Sequence, residues 1–287
     1  MANKYQVRPA LASDKHEIAN LMFFEQHVHR HLDWKNPTDW IGSPFFWVLE
    51  RNAHIMAVLA CPPEKKENTW LRLFTHAENF DTKEAWKVLW EKAKENLEKP
   101  GKTNKVFAIT AQDWMQSLLT QSGFVNEEQI LIMSWEGEKP PKWIQPKDIV
   151  LRDMSAIDLP HVVDVDADAF MPLWQNPLSV LEQAFSKSVC ATIAESVDGI
   201  IGYQISTYSP FGAHLARLAV RSQMQRRGIA SALIGDLIGK LLAKEISQLS
   251  VNTQGKNKRS IALYEKNGFR CTEEEYPLYS FQITGDE

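Results

Sequence analysis

The segment Leu218-Ala219-Val220-Arg221-Ser222-Gln223-Met224-Gln225-Arg226-Arg227-Gly228-Ile229-Ala230 decides the fold. Residues 213–220 before its turn read as a strand. Residues 231–244 carry apolar side chains at 233, 234, 237, 238, 241 and 242, the stripe of an amphipathic helix. The segment is therefore a strand-to-helix junction bearing Gln225, Arg226, Arg227 and Gly228. The first turn of a helix leaves backbone N–H groups unpaired, and the helix dipole places partial positive charge there. Gly228 allows a tight turn and lets an anion reach the backbone without a side chain in the way. Arg226 and Arg227 add charge beside it. A lone glycine after a strand is weak evidence, so the downstream residues decide the matter.

Those residues are Asn257-Lys258-Arg259-Ser260-Ile261-Ala262-Leu263-Tyr264-Glu265-Lys266-Asn267-Gly268-Phe269. Residues 258–266 read as a helix stopped by Asn267-Gly268. Working outward, 149–152 is a short strand, and a helix runs from Asp158 to about Ala169. Pro172 and Pro177 break the chain before a second helix near 178–186. Residues 191–195 and 200–208 are strands joined at Asp198-Gly199, a hairpin turn. Residues 246–252 form the next strand, and 269–283 form the closing strands.

The same order recurs upstream at an offset of 144 to 145 residues, and such periodicity is the first thing to seek in a chain. Val7-Arg8 with Asp14 answers Leu151-Arg152 with Asp158. Glu50 answers Glu195, and Ile55–Val58 answers Ile200–Tyr203. Arg72 answers Arg217, and Gly123-Phe124 answers Gly268-Phe269. The joint falls at 136–147, where Pro140, Pro141 and Pro146 lack a backbone donor and suit an extended connector. The expected domains are 1–138 and 149–287, with 139–148 as linker.

Composition closes off other classes. The chain has 287 residues, 44% hydrophobic and 24% charged, with formal net charge -4. That is a globular composition with no basic footprint for nucleic acid. Its longest apolar runs fall far short of the ~20 residues of a membrane span. Met1–Arg8 lacks the apolar core of a secretory signal. Cys61, Cys190 and Cys271 are odd in number, widely spaced and fit no metal-ligand pattern, so no metal is expected. A cytoplasmic protein, monomer or homodimer, is the resulting expectation.

Together the two segments resemble the GNAT superfamily of acyl-CoA N-acyltransferases. The family's phosphate loop has the form Gln/Arg-x-x-Gly-x-Gly/Ala, filled here by Gln225, Gly228 and Ala230. Its later motif, Asn-x-x-Ala-x-x-Leu-Tyr followed by Gly-Phe, is met by Asn257, Leu263, Tyr264, Gly268 and Phe269, with Ser260 replacing the usual Ala. The match is specific over 149–283 and weaker over 5–135. The resemblance implies an α/β (α+β) fold of two tandem GNAT-like domains, each a mixed, mostly antiparallel sheet flanked by helices.

It implies acetyl-CoA as co-substrate. Amides of Arg226, Arg227, Gly228, Ile229, Ala230 and Ser231 would cradle the pyrophosphate. The backbone of Leu218, Ala219 and Val220 would pair with pantetheine between two splayed strands, Asn257 would bond the same arm, and Tyr264 would protonate the departing thiolate. The residue chemistry agrees on the last point, because a phenol of pKa ~10 holds its proton at neutral pH.

The acceptor expected is a primary amine of a small molecule; a protein N-acetyltransferase and a non-catalytic acyl-CoA binder are the rivals. Glu195 and His214 are candidate bases, neither preferred, and Glu195's partner in Glu50 favours a structural role. Asp166 and Asp168 are options for gripping a cationic acceptor. Phe170, Trp174, Tyr203, Tyr208 and Phe211 are candidate cleft aromatics. At the 145 offset Gln225, Gly228 and Ala230 fall on Phe80, Lys83 and Ala85, Asn257 on Gln112 and Tyr264 on Leu119, so the first domain is expected to be a degenerate copy. It holds eight of the ten tryptophans, read mainly as core, with Trp34 or Trp40 as the surface alternatives. His27 and His31 share a face if helical, a better fit to a polar helix end than to a metal.

Overall fold

The computed structural model describes residues 5–31, 34–65, 68–97, 105–144 and 146–283. In chain order they form β1 (Gln6–Pro9), α1 (Lys15–Phe24), β2 (Val28–Arg30), β3 (Phe46–Arg51), β4 (His54–Ala60), β5 (Pro63–Lys65), β6 (Asn68–Trp70), β7 (Leu73–His76), α2 (Thr82–Leu97), β8 (Lys105–Ile109), α3 (Asp113–Gln121) and β9 (Val125–Glu136). The second half follows with β10 (Val150–Asp153), α4 (Leu159–Ala169), α5 (Leu178–Ser186), β11 (Ser188–Ser196), β12 (Gly199–Ser209), β13 (Gly212–Val220), α6 (Ile229–Leu242), β14 (Gln248–Gln254), α7 (Lys258–Lys266) and β15 (Arg270–Gln282). The α/β expectation, two sheets flanked by helices, holds.

Two compact units result, Met1–Glu128 with Tyr276–Glu287, and Gln129–Glu275. They differ from a division at 138 and 149 because the ends of the halves are exchanged. Ile130–Glu136 of β9 pairs antiparallel with β14 in the second unit, and Leu278–Gln282 of β15 pairs with β8 in the first. The expected linker lies in the second unit, where Trp143 packs so closely on α6 that a Cβ at Gly235 would collide with its ring. Gln145 of that linker lies outside the described residues.

The repeat is visible in the bonds. Arg8 Nε donates to Glu50 at 2.7 Å and its Nη1 to Asp14 at 2.7 Å; Arg152 Nε donates to Glu195 at 3.0 Å and its Nη1 to Asp158 at 2.8 Å. Each Glu stands at a β-bulge, after Leu49 and after Ala194. Glu195 is thus held in a structural ion pair, as its repeat partner suggested. Arg152, with hydrogen bonds from Ser155, keeps the Asp158 carboxyl well below the usual carboxylate range.

The first unit's core is aromatic. Trp86 and Trp90 stack at 5.5 Å, Phe124 lies 5.0 Å from Trp90, and Phe281 of β15 meets Trp90 edge-on at 5.2 Å. Trp34 and Trp40 are half-buried, with Lys35 Nζ 3.5 Å over the Trp40 ring. The histidine reading needs correction. Val28-His29-Arg30 is a strand paired with β7, so His27 and His31 do not share a helix face. His27 stacks on His76 at 5.1 Å, and His31 lies against Trp70. His29 is buried, its Nε2 at 3.3 Å from the Leu71 carbonyl, and burial lowers its pKa to about 4. β-branched Val28 beside β7 favours the extended form over a helix.

In the second unit the sheet runs β10-β11-β12-β13-β14-β9. β13 and β14 are parallel neighbours, bridged over the other strands by α6. α6 forms because Ile229, Leu233, Ile234, Leu237, Ile238 and Leu241 line one buried face. Each buried Leu or Ile contributes about 1.5–3 kcal/mol. The helix is therefore anchored to the sheet along its length, and its first turn is held in place at the end of the junction.

Candidate functional site

β13 and β14 pair only over Ala213–Leu215 with Leu249–Val251. Beyond that point β13 continues beside β12 and β14 beside β9, so Ala216–Val220 and Asn252–Gln254 have no strand between them. A register shift between Ile205 and Ser206 leaves Ala216 as the extra residue of a bulge, and the bend it makes starts the divergence. Leu218, Ala219 and Val220 lie on this unpaired edge. His214 lies on the closed part, its Nδ1 2.9 Å from Ser250 Oγ, and burial lowers its pKa.

The junction is pinned at its start and open at its end. Ser222 N–H donates to Asp168 at 2.6 Å, Ser222 Oγ donates to the Asp168 carbonyl, and Gln225 Nε2 donates to the Val220 carbonyl at 3.2 Å. Asp168 is therefore occupied in fixing the loop. Arg226 and Gly228 have positive φ, 64° and 82°, and Gly228 is the N-cap of α6. Among the described residues no hydrogen bond is made by the N–H groups of Arg226, Arg227 or Gly228, and those of the first helical turn have no intrahelical partner. A Cβ built on Gly228 would meet no atom within 4 Å beyond its own chain neighbours, so the chain is open at this residue. The Arg226 and Arg227 side chains are exposed and make no ion pair among the described residues. Ile229 is buried, and Ala230 and Ser231 are half-buried in the first turn.

Asn257 caps α7, its Oδ1 accepting from Ser260 N–H at 3.1 Å, which leaves its amide N–H groups available. Tyr264 is 7% exposed, its ring centroid lies 5.5 Å from that of Phe269, and both belong to the buried cluster that includes Ile234 and against which Leu218 packs. Its hydroxyl makes no hydrogen bond among the described residues. Burial pushes its pKa up, against which the Arg217 charge pulls it down. Asn267, read from sequence only as a helix stop, links the two halves of the site: its Nδ2 donates to Ser231 Oγ at 3.1 Å and to the Leu263 carbonyl at 2.7 Å. Leu218 packs against both the Tyr264 cluster and the Ile229 cluster.

Arg217 stands in an ion pair, and its partner is the buried Asp166 of α4, not a residue of a neighbouring strand. Asp166 is fully buried and accepts from Arg217 Nε at 2.7 Å, Arg217 Nη2 at 2.9 Å, Tyr203 OH at 2.5 Å and Asn176 N–H at 2.7 Å. A carboxylate so saturated has no oxygen to spare for an acceptor amine, which corrects the role considered for it. Tyr203 is wholly buried in this cluster, not cleft-lining, while Tyr208 and Phe211 are exposed near the β12–β13 hairpin. Phe170 and Trp174 are half-buried beside Arg217: the guanidinium carbon lies 3.5 Å over the Phe170 ring, and Nη2 donates to the Trp174 carbonyl at 2.6 Å. The signal was present in the spacing, since Asp166 falls on the face of α4 that also buries Leu159, Val162 and Val165.

Strand pairing also corrects the repeat register. Arg217 stands opposite Ile205, and Leu73 stands opposite Ala60, so Leu73, not Arg72, is the counterpart of Arg217. Ala77 N–H bonds Met56 O as Arg221 N–H bonds Ile201 O, an offset of 144 on the second strand against 145 on the first. From there to the helix, 77–81 is five residues and 221–228 is eight. Lys83 therefore lies inside α2 and does not stand where Gly228 does. Gln112 holds the N-cap position of α3 at the place of Asn257, without a side-chain capping bond, and Leu119 is buried at the place of Tyr264.

A strand pair thus parts at a bulge and leads into a helix whose first amides have no intrahelical partner. Residues 159–269 match the Acetyltransferase (GNAT) family, so the second unit carries a GNAT acetyltransferase domain, an enzyme domain of the acetyl-CoA-dependent class. The fold extends over the whole chain. A GCN5-related N-acetyltransferase from Sphaerobacter thermophilus is 16% identical with a TM-score of 0.63, over 97% of this chain and 96% of that one. A tandem GNAT protein from the clavulanic acid biosynthesis pathway is 14% identical with a TM-score of 0.70, over 99% and 100%. A GCN5-related N-acetyltransferase from Anabaena variabilis is 11% identical with a TM-score of 0.68, over 98% and 73%.

Proposed function

We propose that the second unit transfers an acetyl group from acetyl-CoA to the primary amine of a small molecule, by direct attack in a ternary complex. The observation that carries this reading is the set of unpartnered amides at 226–228 heading α6, with Tyr264 held at fixed reach through Asn267 and Leu218. The residues present fit the donor. The amides of Arg226–Ser231 would hold its pyrophosphate, the open edge of Leu218–Val220 and the free amide of Asn257 would hold its pantetheine arm, and Ser260 leaves room beside it. When bound, acetyl-CoA supplies an acyl carbon activated as a thioester.

The chain's own part is to orient and to move a proton. The acceptor nitrogen forms a bond to the acyl carbon as the carbon–sulfur bond breaks. The nitrogen gives up a proton to solvent, and Tyr264 Oη gives one to the sulfur, regaining it from water. Burial favours the neutral phenol, so the proton is in place at neutral pH. Tyr264 also separates this reading from a pure acyl-CoA binder, which needs the loop but no acid. The first unit is a degenerate copy in this account. It has a junction three residues shorter and Leu119 in place of the phenol, and so lacks both cradle and acid.

The test is release of free thiol from acetyl-CoA over a panel of small amines and of peptides with free N-termini. Turnover with small amines is expected. Saturable CoA binding with no turnover on any acceptor would leave a binding module, and turnover confined to peptides would move the acceptor class.

A further inference from the structure

The first unit shows that this fold does not need the Asp166–Arg217–Tyr203 cluster. Val58 pairs with Val48 and Thr75 as Tyr203 pairs with Ile193 and Ala219. Leu73 occupies the Arg217 position. Leu21 accepts the N–H of Glu25 at the end of α1 as Asp166 accepts that of Phe170 at the end of α4. Leu21, Val58 and Leu73 are all buried and belong to one apolar cluster. The same corner is thus built once from Leu, Val and Leu, and once from Asp, Tyr and Arg. Replacing a buried ion pair with apolar groups is often neutral or stabilising, so stability does not explain the charged version.

What the charged version adds is one open edge. Arg217 is 12% exposed, and its five donors divide unevenly. Nε and Nη2 are engaged by Asp166 and the Trp174 carbonyl, and one guanidinium face is covered by Phe170. Among the described residues Nη1 donates to no acceptor, and it is not one of the sealed, unpartnered polar atoms, so it keeps some exposure to solvent. Arg217 directly precedes Leu218 on the unpaired edge of β13, and its charge acts on Tyr264.

We propose that the Nη1 edge of Arg217 is a carboxylate subsite, and that the acceptor is a small amino acid or similar amine carrying a carboxylate near its nitrogen. This rests on the acetyltransferase reading above. Asp166 and Arg217 cancel in charge, so a zwitterionic acceptor enters without adding net charge to the corner. The planar fork of an Arg held by one carboxylate is well placed to bridge to a second. Asp166, Tyr203 and Trp174 act as positioning groups that keep the fork aimed.

The experiment compares kcat/KM for amino acids and their decarboxylated partners, leucine against isoamylamine and phenylalanine against phenethylamine. It uses the full chain and two variants. One is the triple variant Asp166→Leu, Tyr203→Val, Arg217→Leu, which copies the first unit's own solution; the other is Arg217→Lys. Wild type is expected to favour the carboxylate-bearing member at least about tenfold. That ratio falls toward one in the triple variant, with CoA affinity retained, and falls in part in Arg217→Lys, which still folds if the triple variant does not.

A second arm needs no turnover: calorimetric binding of N-acetyl-leucine to the CoA-loaded protein, expected at least tenfold weaker in the variants. If decarboxylated amines serve wild type equally well, the subsite is refuted while the acetyltransferase reading stands. If no amine is acetylated yet N-acetyl-leucine binds in an Arg217-dependent way, the transfer reading falls and the subsite remains. If N-acetyl-leucine binds wild type and variants alike, the subsite is refuted.

Discussion

Replacing Gly228 with Ala separates folding from donor binding. Gly228 has φ of +82°, a left-handed conformation that costs a residue with a Cβ about 1–2 kcal/mol. No protein atom lies within 4 Å of that Cβ, so no packing penalty is added. The expected destabilisation is therefore about 1 kcal/mol, a fall in Tm of about 2–4 °C for a unit of this size. The effect on binding should be larger. The methyl group would stand on the residue that opens α6, where a pyrophosphate must approach the Arg226–Gly228 amides to 2.7–2.9 Å or so for charge-assisted bonds. Loss of one such bond, about 1.5–3 kcal/mol, weakens CoA by about 10-fold to 100-fold. Thermal denaturation gives the first number and isothermal titration with CoA the second. A variant with the expected drop in Tm and unchanged affinity for CoA would refute the cradle and leave Gly228 a turn residue only.

Other substitutions test the remaining parts. Tyr264→Phe should lower kcat by about 100-fold, the lower range for a general acid, with little change in the Kd for CoA; equal loss in both would remove its role as acid. Because burial raises its pKa, kcat should show no basic limb from this group below pH 10. Asp166→Leu alone leaves a buried, unpaired Arg217 and should cost about 3–5 kcal/mol in chemical denaturation, whereas adding Arg217→Leu should restore most of it.

Two titrations complete the set. His29 titrates near pH 4 when folded against ~6.5 unfolded. Its contribution is whole above pH 6.5 and is lost as pH falls to 4, amounting to about 3 kcal/mol. Tryptophan emission from the first unit should show that acid sensitivity decrease in His29→Leu. Asp158 works in the same direction at lower pH: its stabilisation is present above ~4 and fades below, so Arg152→Leu should flatten the stability curve of the second unit between pH 4 and 2.

Local signals in the chain were informative where periodicity and turn chemistry act over a few residues. The α6 stripe, the α7 stop at Asn267-Gly268 and the hairpin at Asp198-Gly199 all stand close to the positions read from sequence. Long-range pairing was not legible. Nothing in Ile130–Glu136 or Leu278–Gln282 states which strand each will pair with, because either would offer the same alternating pattern to either unit. The bulge at Ala216 shifted the repeat by one and made Arg72 look like the partner of Arg217. The shorter junction at 77–81 shifted it again. The Asp166 cluster joins residues 37 and 51 positions apart, and although Asp166 shares the buried face of α4 with Val162 and Val165, nothing local names Tyr203 or Arg217 as its partners.

The placing of His27 and His31 on one helix face failed because the segment between them, Val28–Arg30, pairs with β7, which overrides the local spacing.

The central claim is that the donor's diphosphate sits on the head of α6 in the second unit and nowhere in the first. Backbone amide chemical shifts recorded while CoA is titrated into the full chain test it most directly. The account predicts saturating shifts at Arg226–Ser231 and at Asn257, with none at Ala77–Lys83. Saturating shifts at Ala77–Lys83 with Arg226–Ser231 unmoved would contradict it.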